Sequence, residues 1–234
     1  QNIPISAEHQ KSLAQAKLLF EEGLSADNMN NYELSINKTD SSYILITAVL
    51  NYSSTTLKSY FKQYSEWNKQ AASAIARSAK QKSSLIIIDK YARQCIVSLA
   101  GKLADSYTAE LGSNWIGDKH LQGDKSTPEG LYKISSKKAN GSTKYYKALL
   151  LNYPNADDKK RFAEGQKSGR ISKGASIGNL IEIHGHGGKG VDWTDGCIAL
   201  TDSNMDKLYK LSEVGAEVLI VGSLKSLEQI NNQQ

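Results

Sequence analysis

The sequence has few cysteines and no long apolar run, and each of these absences excludes a class of protein. Two cysteines, Cys95 and Cys197, stand among 234 residues, so a small scaffold held by several disulfides is excluded. No apolar run reaches the roughly 18 residues of a membrane-spanning helix, and we therefore expect no transmembrane segment. Hydrophobic residues still make up 39% of the chain, which allows a sizeable core.

Concentrated positive charge is missing as well. The net charge is +5, but the lysines and arginines are scattered along the chain rather than collected into a stripe. We therefore predict no nucleic-acid partner. The general excess of positive charge favours other anionic partners, among them acidic lipid and the anionic cell envelope.

The sequence also lacks the ligand spacings of common zinc sites. His184, His186, Asp192, Asp195 and Cys197 are all ligand types, yet their spacing matches none of the usual patterns. We therefore predict neither a metal nor another cofactor. A metal hydrolase stays open as an alternative, and it predicts that a chelator abolishes activity.

The most informative feature that is present is Cys197, which ends the run Thr194-Asp195-Gly196-Cys197 shortly after two histidines, His184 and His186. A thiolate is a strong nucleophile, and a nearby imidazole can take the thiol proton. The neighbouring glycines let the backbone approach a substrate and turn amide N–H groups towards an oxyanion. The pattern predicts a Cys–His nucleophilic site whose thiol reacts below the pH of an ordinary thiol, against the alternative of a packed thiol.

The second cysteine has a different setting. Cys95 alternates with Val97 and Leu99 on one face of a predicted strand. We interpret it as a packed thiol, although a disulfide between Cys95 and Cys197 is an alternative in an oxidising compartment.

The hydrophobic pattern changes once along the chain, which predicts an α+β fold. Residues 1–83 are predicted to be mainly helical, with one helix capped by Ser6 and ending near Gly23, and another that carries an apolar stripe from Leu57 to Ile75. The run from Tyr43 to Tyr52 fits either helix or strand. Residues 84–222 show short β runs separated by turns, and residues 223–234 form a polar tail that we expect to be loose.

Three segments of the second region resemble the L,D-transpeptidase catalytic domain of bacterial cell-wall enzymes, in the order of that family. The strands from Leu85 resemble its opening strands, and Gly123–Gly130 is similar to its Gly-Asp-x-x-Thr-Pro-x-Gly signature. The stretch from His184 to Leu200 resembles its Ile-His-Gly and Gly-Cys core. The resemblance extends from Leu85 to about Gly222 and implies an N-terminal helical region followed by a β-rich catalytic domain.

The core departs from the commonest family pattern at two positions. Asp195 stands where a second histidine is usual, and Ala199 stands where an arginine or asparagine is usual. The segment is similar to a subgroup that carries Thr-Asp-Gly-Cys-Ile-Ala. These differences bear on the choice of substrate and acceptor more than on the nucleophile.

The resemblance implies a reaction on peptidoglycan stem peptides. Cys197 would attack the carbonyl that joins the L-centre of a diamino acid to a terminal D-Ala, and His184 would take the thiol proton. The carbonyl of Gly185 would orient the imidazole, while the N–H groups of Cys197 and Gly196 would form the oxyanion hole. Thr194 and Asp195 would support the turn or contact the substrate, and for Asp195 a solvated position in the turn is the alternative. Trp193 and Tyr153 could line the cleft, with an ordinary core or rim position as the alternative. His186 is either a further site residue or a loop residue.

The acceptor decides which enzyme this would be. An amine acceptor makes an L,D-transpeptidase, a lipoprotein lysine gives an anchor, and water gives an L,D-carboxypeptidase or an anchor-hydrolysing amidase. A non-catalytic module that binds the cell envelope is an alternative of another class. The resemblance implies a periplasmic or envelope-associated protein, whose N-terminal helices could bind a lipoprotein or a second copy of the chain.

Overall fold

The computed structural model describes residues 3–232, which form two compact units divided between Tyr60 and Phe61. The boundary predicted between residues 83 and 84 marks the change from helix to strand. Compact packing instead groups the third helix with the sheet that follows it. Within residues 3–232, no helix combines the length and the apolar character needed to cross a membrane.

The first unit contains helix α1, Ala7–Asn28, and almost all of helix α2, Tyr32–Phe61. Ser6 caps α1 as predicted, since its Oγ accepts a hydrogen bond from the N–H of His9 at 3.3 Å. The predicted end near Gly23 is wrong. That glycine allows α2 to pack closely, because a Cβ there would lie 2.7 Å from the Thr39 methyl group.

Two predictions about α2 are resolved by the structure. The ambiguous run from Tyr43 to Tyr52 is helical and lies within α2. The apolar stripe from Leu57 to Ile75 does not belong to one helix, because a short turn after Phe61 starts a new helix, α3, at Tyr64–Gln81. The buried face of α3 includes Trp67, Ala71 and Ala74 at helical spacing, and α3 packs against the strands Ser84–Asp89 and Glu217–Val221.

The second unit is built on a mixed sheet. Within the described residues its strands are β1 Ser84–Asp89, β2 Gln94–Leu99, β3 Lys102–Thr108, β4 Gly130–Lys138, β5 Ala148–Leu151, β6 Glu182–His184, β7 Ile198–Ala199 and β8 Glu217–Val221. Their order across the sheet is β3-β2-β1-β8-β4-β5-β6-β7. The β1–β8 and β6–β7 pairs are parallel and the others are antiparallel. The predicted α+β class is therefore confirmed.

Three helices complete the second unit: α4 Ala156–Lys167, α5 Asp202–Leu211 and α6 Leu227–Asn231. Helix α5 follows directly from β7, and its N-cap is Thr201, whose Oγ1 accepts from the N–H of Asn204. The tail was expected to be loose, but α6 forms there. Ser226 caps α6 through a capping box with Gln229, and Ile230 is its buried apolar residue.

Candidate active site

Two short parallel strands bring the predicted nucleophile and base to the same region. Strand β6 ends at His184, and strand β7 begins directly after Cys197. The register pairs Ile183 with Ile198 and His184 with Ala199. Because alternate residues of a strand share a face, the chain continuing back from Ala199 places Cys197 on the face that carries His184.

Cys197 lines an open cleft with a volume of about 760 Å³. Its Sγ lies 3.6 Å from the carbonyl oxygen of Leu180, to which the thiol donates. Burial raises the pKa of the Cys197 thiol, although the N–H of Glu182 counteracts part of this effect. The thiol is therefore protonated at neutral pH and needs a base when it attacks.

His184 is fully buried and is set up to accept a proton. Its Nδ1 lies 2.6 Å from the carbonyl oxygen of Gly185, and since a carbonyl only accepts, Nδ1 carries the hydrogen. Nε2 is then the unprotonated nitrogen, and it has no hydrogen-bond partner among residues 3–232. Burial lowers the pKa of His184, so the imidazole is neutral at pH 7.

Two aromatic rings hold the plane of this imidazole. Tyr145 stacks on His184 with ring centroids 3.5 Å apart and an angle of 6° between the planes. Trp193 meets the same ring edge-on, at a centroid distance of 5.9 Å. Tyr145 was not predicted from the sequence, because it lies in an irregular segment before β5 where no periodicity marks a functional side chain.

Glu110 is a further residue that sequence reasoning missed. Its Oε1 accepts from the N–H groups of Gly188 and Gly190 at 3.1 and 2.7 Å. Its Oε2 accepts from the indole N–H of Trp193 at 2.7 Å. Glu110 is 7% exposed, and its carboxylate joins three points of the loop between the histidine strand and the cysteine turn.

The turn before the nucleophile depends on Thr194 and Gly196. Thr194 Oγ1 donates to the carbonyl of Cys197 at 2.7 Å and accepts from the N–H of Gly196 at 3.2 Å. Gly196 has φ +129°, and a Cβ there would lie 2.5 Å from the carbonyl oxygen of Ser126. Only glycine fits this position, and its N–H would have to leave Thr194 to join an oxyanion hole.

The Gly123–Gly130 signature acts as a scaffold beside this turn. Asp124 accepts from the N–H groups of His120, Leu121 and Ser126 and pairs with the ammonium of Lys119. Those bonds fix the loop whose Ser126 carbonyl packs against Gly196.

The other predicted substrate contacts divide into two groups. Trp193, Thr194 and Asp195 line the cleft together with Cys197. Tyr153 does not line it, because this side chain is buried and its hydroxyl donates to the carbonyl of Ile177 at 3.0 Å.

His186 also lies outside the lining of the cleft. It is exposed, has φ +65°, and its backbone N–H donates to Asp202 Oδ1 at 2.7 Å. The same carboxylate oxygen would lie 2.5 Å from a Cβ at Gly185, which explains a glycine after the histidine.

The structure also bears on the alternatives of a disulfide and of a metal site. Both cysteines are free, and Cys95 is fully buried in β2, where burial raises its pKa to about 12. Over residues 3–232, no three His, Cys, Asp or Glu side chains converge as metal ligands would.

These observations describe a thiol in a cleft, a neutral imidazole and a turn fixed by hydrogen bonds, which is an arrangement suited to cysteine chemistry. The family model of the YkuD L,D-transpeptidase catalytic domain matches residues 83–220. The chain belongs to this L,D-transpeptidase family.

Individual relatives agree with the family assignment. The chain is 30% identical over 110 residues to the protein named "Putative L,D-transpeptidase YafK" of Escherichia coli (strain K12), a match that covers 47% of this chain and 37% of the relative. It therefore spans little more than a third of that curated relative.

Solved structures include similar chains. Bd1075 of Bdellovibrio bacteriovorus has a TM-score of 0.46 at 22% identity, covering 66% of this chain and 55% of the other. An L,D-transpeptidase from Mycobacterium smegmatis has a TM-score of 0.39 at 16% identity, covering 59% and 58%.

Proposed function

We propose that this protein is a cysteine acyltransferase that acts on peptidoglycan stem peptides and passes the acyl group to an amine. The observation that carries the proposal is the free Nε2 of His184, a buried neutral base on the face that carries Cys197. If His184 had only a structural role, we would expect its Nε2 to form a hydrogen bond, because an unpaired buried polar atom lowers stability.

The first half-reaction forms a thioester. Cys197 Sγ attacks the carbonyl of the L-centre while His184 Nε2 takes the thiol proton, and a bond forms between sulfur and carbon. The bond to the nitrogen of the terminal D-Ala then breaks, and the imidazolium returns its proton to that amine as it leaves. The N–H of Cys197 is the proposed donor to the oxyanion.

The second half-reaction regenerates the thiol. His184 takes a proton from the incoming amine, which attacks the thioester carbonyl. The bond between that carbon and Sγ then breaks, and the imidazolium returns the proton to Sγ. Water in the place of the amine would make the same site an L,D-carboxypeptidase, or an amidase that removes an anchor. Asp195, exposed beside the nucleophile in the cleft, is the proposed contact with the acceptor.

The location and partners follow from this reaction. Peptidoglycan lies in the cell envelope, so we place the protein there, in the periplasm where the organism has one. The N-terminal helices are the proposed contact with a lipoprotein or a second copy.

The test is a comparison of products. The purified protein and its Cys197→Ala variant are incubated with tetrapeptide muropeptides, and the products are read by mass spectrometry. Crosslinked dimers that are lost in the variant support the transpeptidase. Monomers that lack only D-Ala would instead indicate a carboxypeptidase. Unchanged substrates in both samples would contradict the transpeptidase and the carboxypeptidase alike.

A further inference from the structure

Among the described residues, the lining of the cleft beside Cys197 holds more lysines than carboxylates. Four lysines line it, Lys119, Lys125, Lys138 and Lys144, against two carboxylates, Glu182 and Asp195. A cleft with low-dielectric walls focuses the field of such charges and attracts an anionic ligand.

Two of these lysines are already neutralised by the protein. Lys119 pairs with Asp124 at 2.7 Å, and its ammonium is almost fully buried. Lys138 pairs with Glu182 Oε1, also at 2.7 Å. These two lysines form part of the wall of the cleft, and their positive charges are largely balanced by the paired carboxylates.

The charges of the other two lysines are not paired with carboxylates of the described residues. Lys125 and Lys144 are exposed, and within residues 3–232 neither forms an ion pair with a carboxylate. Lys125 lies in the signature loop and Lys144 in the irregular segment before β5. The tertiary fold, rather than the local sequence, therefore brings the two lysines into one cleft.

Lys144 is also close to the reacting groups. Its ammonium lies 5.1 Å from the ring centroid of Tyr145, and that ring is stacked on His184. The charge of Lys144 lowers the pKa of both Cys197 and His184. The ring of Tyr145 therefore contacts both the Lys144 ammonium and the His184 imidazole, so an anion bound to Lys144 would lie close to the imidazole.

We propose that Lys144, assisted by Lys125, is a carboxylate-binding subsite that selects acyl donors with a free carboxylate near the scissile bond. This inference rests on the proposed function for the identity of the donor. Two carboxylates of a stem peptide have this chemistry: that of the terminal D-Ala, which leaves, and a free carboxylate on the diamino acid.

The subsite is tested first without any peptidoglycan substrate, by alkylating Cys197 with iodoacetate and with iodoacetamide. Both reagents form a bond between Sγ and carbon and release iodide, but only iodoacetate carries a carboxylate. Because both reagents react with the same thiolate, the ratio of their rate constants does not depend on the fraction of Cys197 that is deprotonated. The same chain unfolded in urea gives the intrinsic ratio, and the Cys197→Ala variant measures any reaction at the buried Cys95.

We expect the folded protein to favour iodoacetate relative to the unfolded chain. The Lys144→Gln variant should lower the ratio about fivefold, as expected for the loss of a partly exposed ion pair, and Lys125→Gln should lower it less. The control is Lys102→Gln, which removes the same charge from an exposed position outside the cleft. An equal ratio in Lys144→Gln and Lys102→Gln would overturn the subsite, whatever the protein's substrate is.

The source of the carboxylate is then determined by binding to the Cys197→Ala variant, which cannot form a thioester. Three tetrapeptides are compared: one with free carboxylates, one with a C-terminal amide, and one amidated on the diamino acid. Weaker binding of the C-terminal amide assigns the subsite to the leaving D-Ala, and weaker binding of the other amide assigns it to the diamino acid.

In either case, Lys144→Gln should remove the difference, and added salt should reduce it. Equal binding of all three peptides would overturn the assignment to the donor. If no peptide binds while the alkylation ratio still depends on Lys144, the proposed substrate fails and the anion subsite stands.

Discussion

At Cys197 and His184, burial acts on two neighbouring pKa values in opposite directions. It raises the pKa of the thiol and lowers that of the imidazole, because the charged form of each group is the one that loses solvation. The resting pair is therefore thiol and neutral imidazole rather than thiolate and imidazolium. This differs from the expectation that Cys197 reacts below the pH of an ordinary thiol.

The pH dependence of alkylation follows from that pair. A raised thiol pKa means that the proton is held to higher pH, so the rate with iodoacetamide should rise with a midpoint above that of an ordinary cysteine. Because the pKa of His184 is lowered, the acid limb of the pH profile of kcat/KM should have its midpoint below the usual pKa of histidine. Stopped-flow alkylation and initial rates measure the two limbs, and a thiol midpoint below the ordinary value would contradict this description.

Glu110 is the residue whose single substitution should be most informative outside the reacting pair. Glu110→Gln keeps the shape but replaces one carboxylate oxygen by an NH₂ group, which cannot accept from Trp193 or the loop glycines. We expect a loss of about 1–3 kcal/mol in unfolding free energy, together with a fall in kcat that exceeds any change in KM.

The matched control is Glu164→Gln on the exposed face of α4. Urea unfolding measures the stability, and the emission of Trp193, isolated by subtracting a Trp193→Phe sample, reports the loop. An unchanged emission and kcat in Glu110→Gln would show that this carboxylate does not position the site.

At the scale of elements, the site is a junction between a strand end, a turn and the signature loop. The carbonyl of Ser126 lies where a side chain at position 196 would be, and Gly112 approaches the same loop so closely that a Cβ would lie 2.2 Å from the carbonyl of Lys125. The N–H of Gly112 also donates to Thr127 Oγ1 at 3.0 Å. Backbone-to-backbone contact thus sets the distance between the loop and the nucleophile.

Gly196→Ala should disrupt this junction. The added methyl group meets the Ser126 carbonyl at a φ that side chains rarely adopt, so we expect a cost of about 1–3 kcal/mol and loss of acylation. Gly174→Ala is the control, because that glycine has open space and no positive φ. Thermal unfolding and mass-spectrometric acylation measure the two effects. Equal behaviour of both variants would mean that the turn tolerates a different backbone path.

For the whole molecule, helix α3 belongs to the second compact unit rather than to the helices before it. The indole N–H of Trp67 donates to Glu129 at 3.2 Å, and the other oxygen of Glu129 pairs with the buried Lys90 at 2.7 Å. Lys90 also donates to the carbonyl of Thr127 in the signature loop. A chain of polar contacts therefore runs from α3 to the loop that supports the cysteine turn.

Truncation tests this division. A chain that begins at residue 61 should keep cooperative unfolding and the reactivity of Cys197. A chain that begins at residue 84 should be less stable by several kcal/mol, because it loses the buried Trp67 side chain, whose removal alone costs about 3–5 kcal/mol. Urea denaturation and iodoacetamide rates measure both chains, and equal stability would favour a boundary at residue 84.

The sequence by itself determined what depends on neighbours along the chain. The Gly-Cys turn, the helix cap at Ser6 and the change from helical to β periodicity are local patterns, and the order of the motifs was enough to indicate the family. The contact of the Gly185 carbonyl with His184 also joins neighbours along the chain, and it was expected from the family resemblance.

Only the tertiary structure decided which distant side chains surround the nucleophile. Glu110, Tyr145 and Lys144 reach the site through the order of strands in the sheet, and nothing in their own segments marks them. Tyr153, predicted for the cleft, is buried elsewhere instead. Sheet order and loop packing are set by burial summed over the whole core, and that sum cannot be read from any one segment.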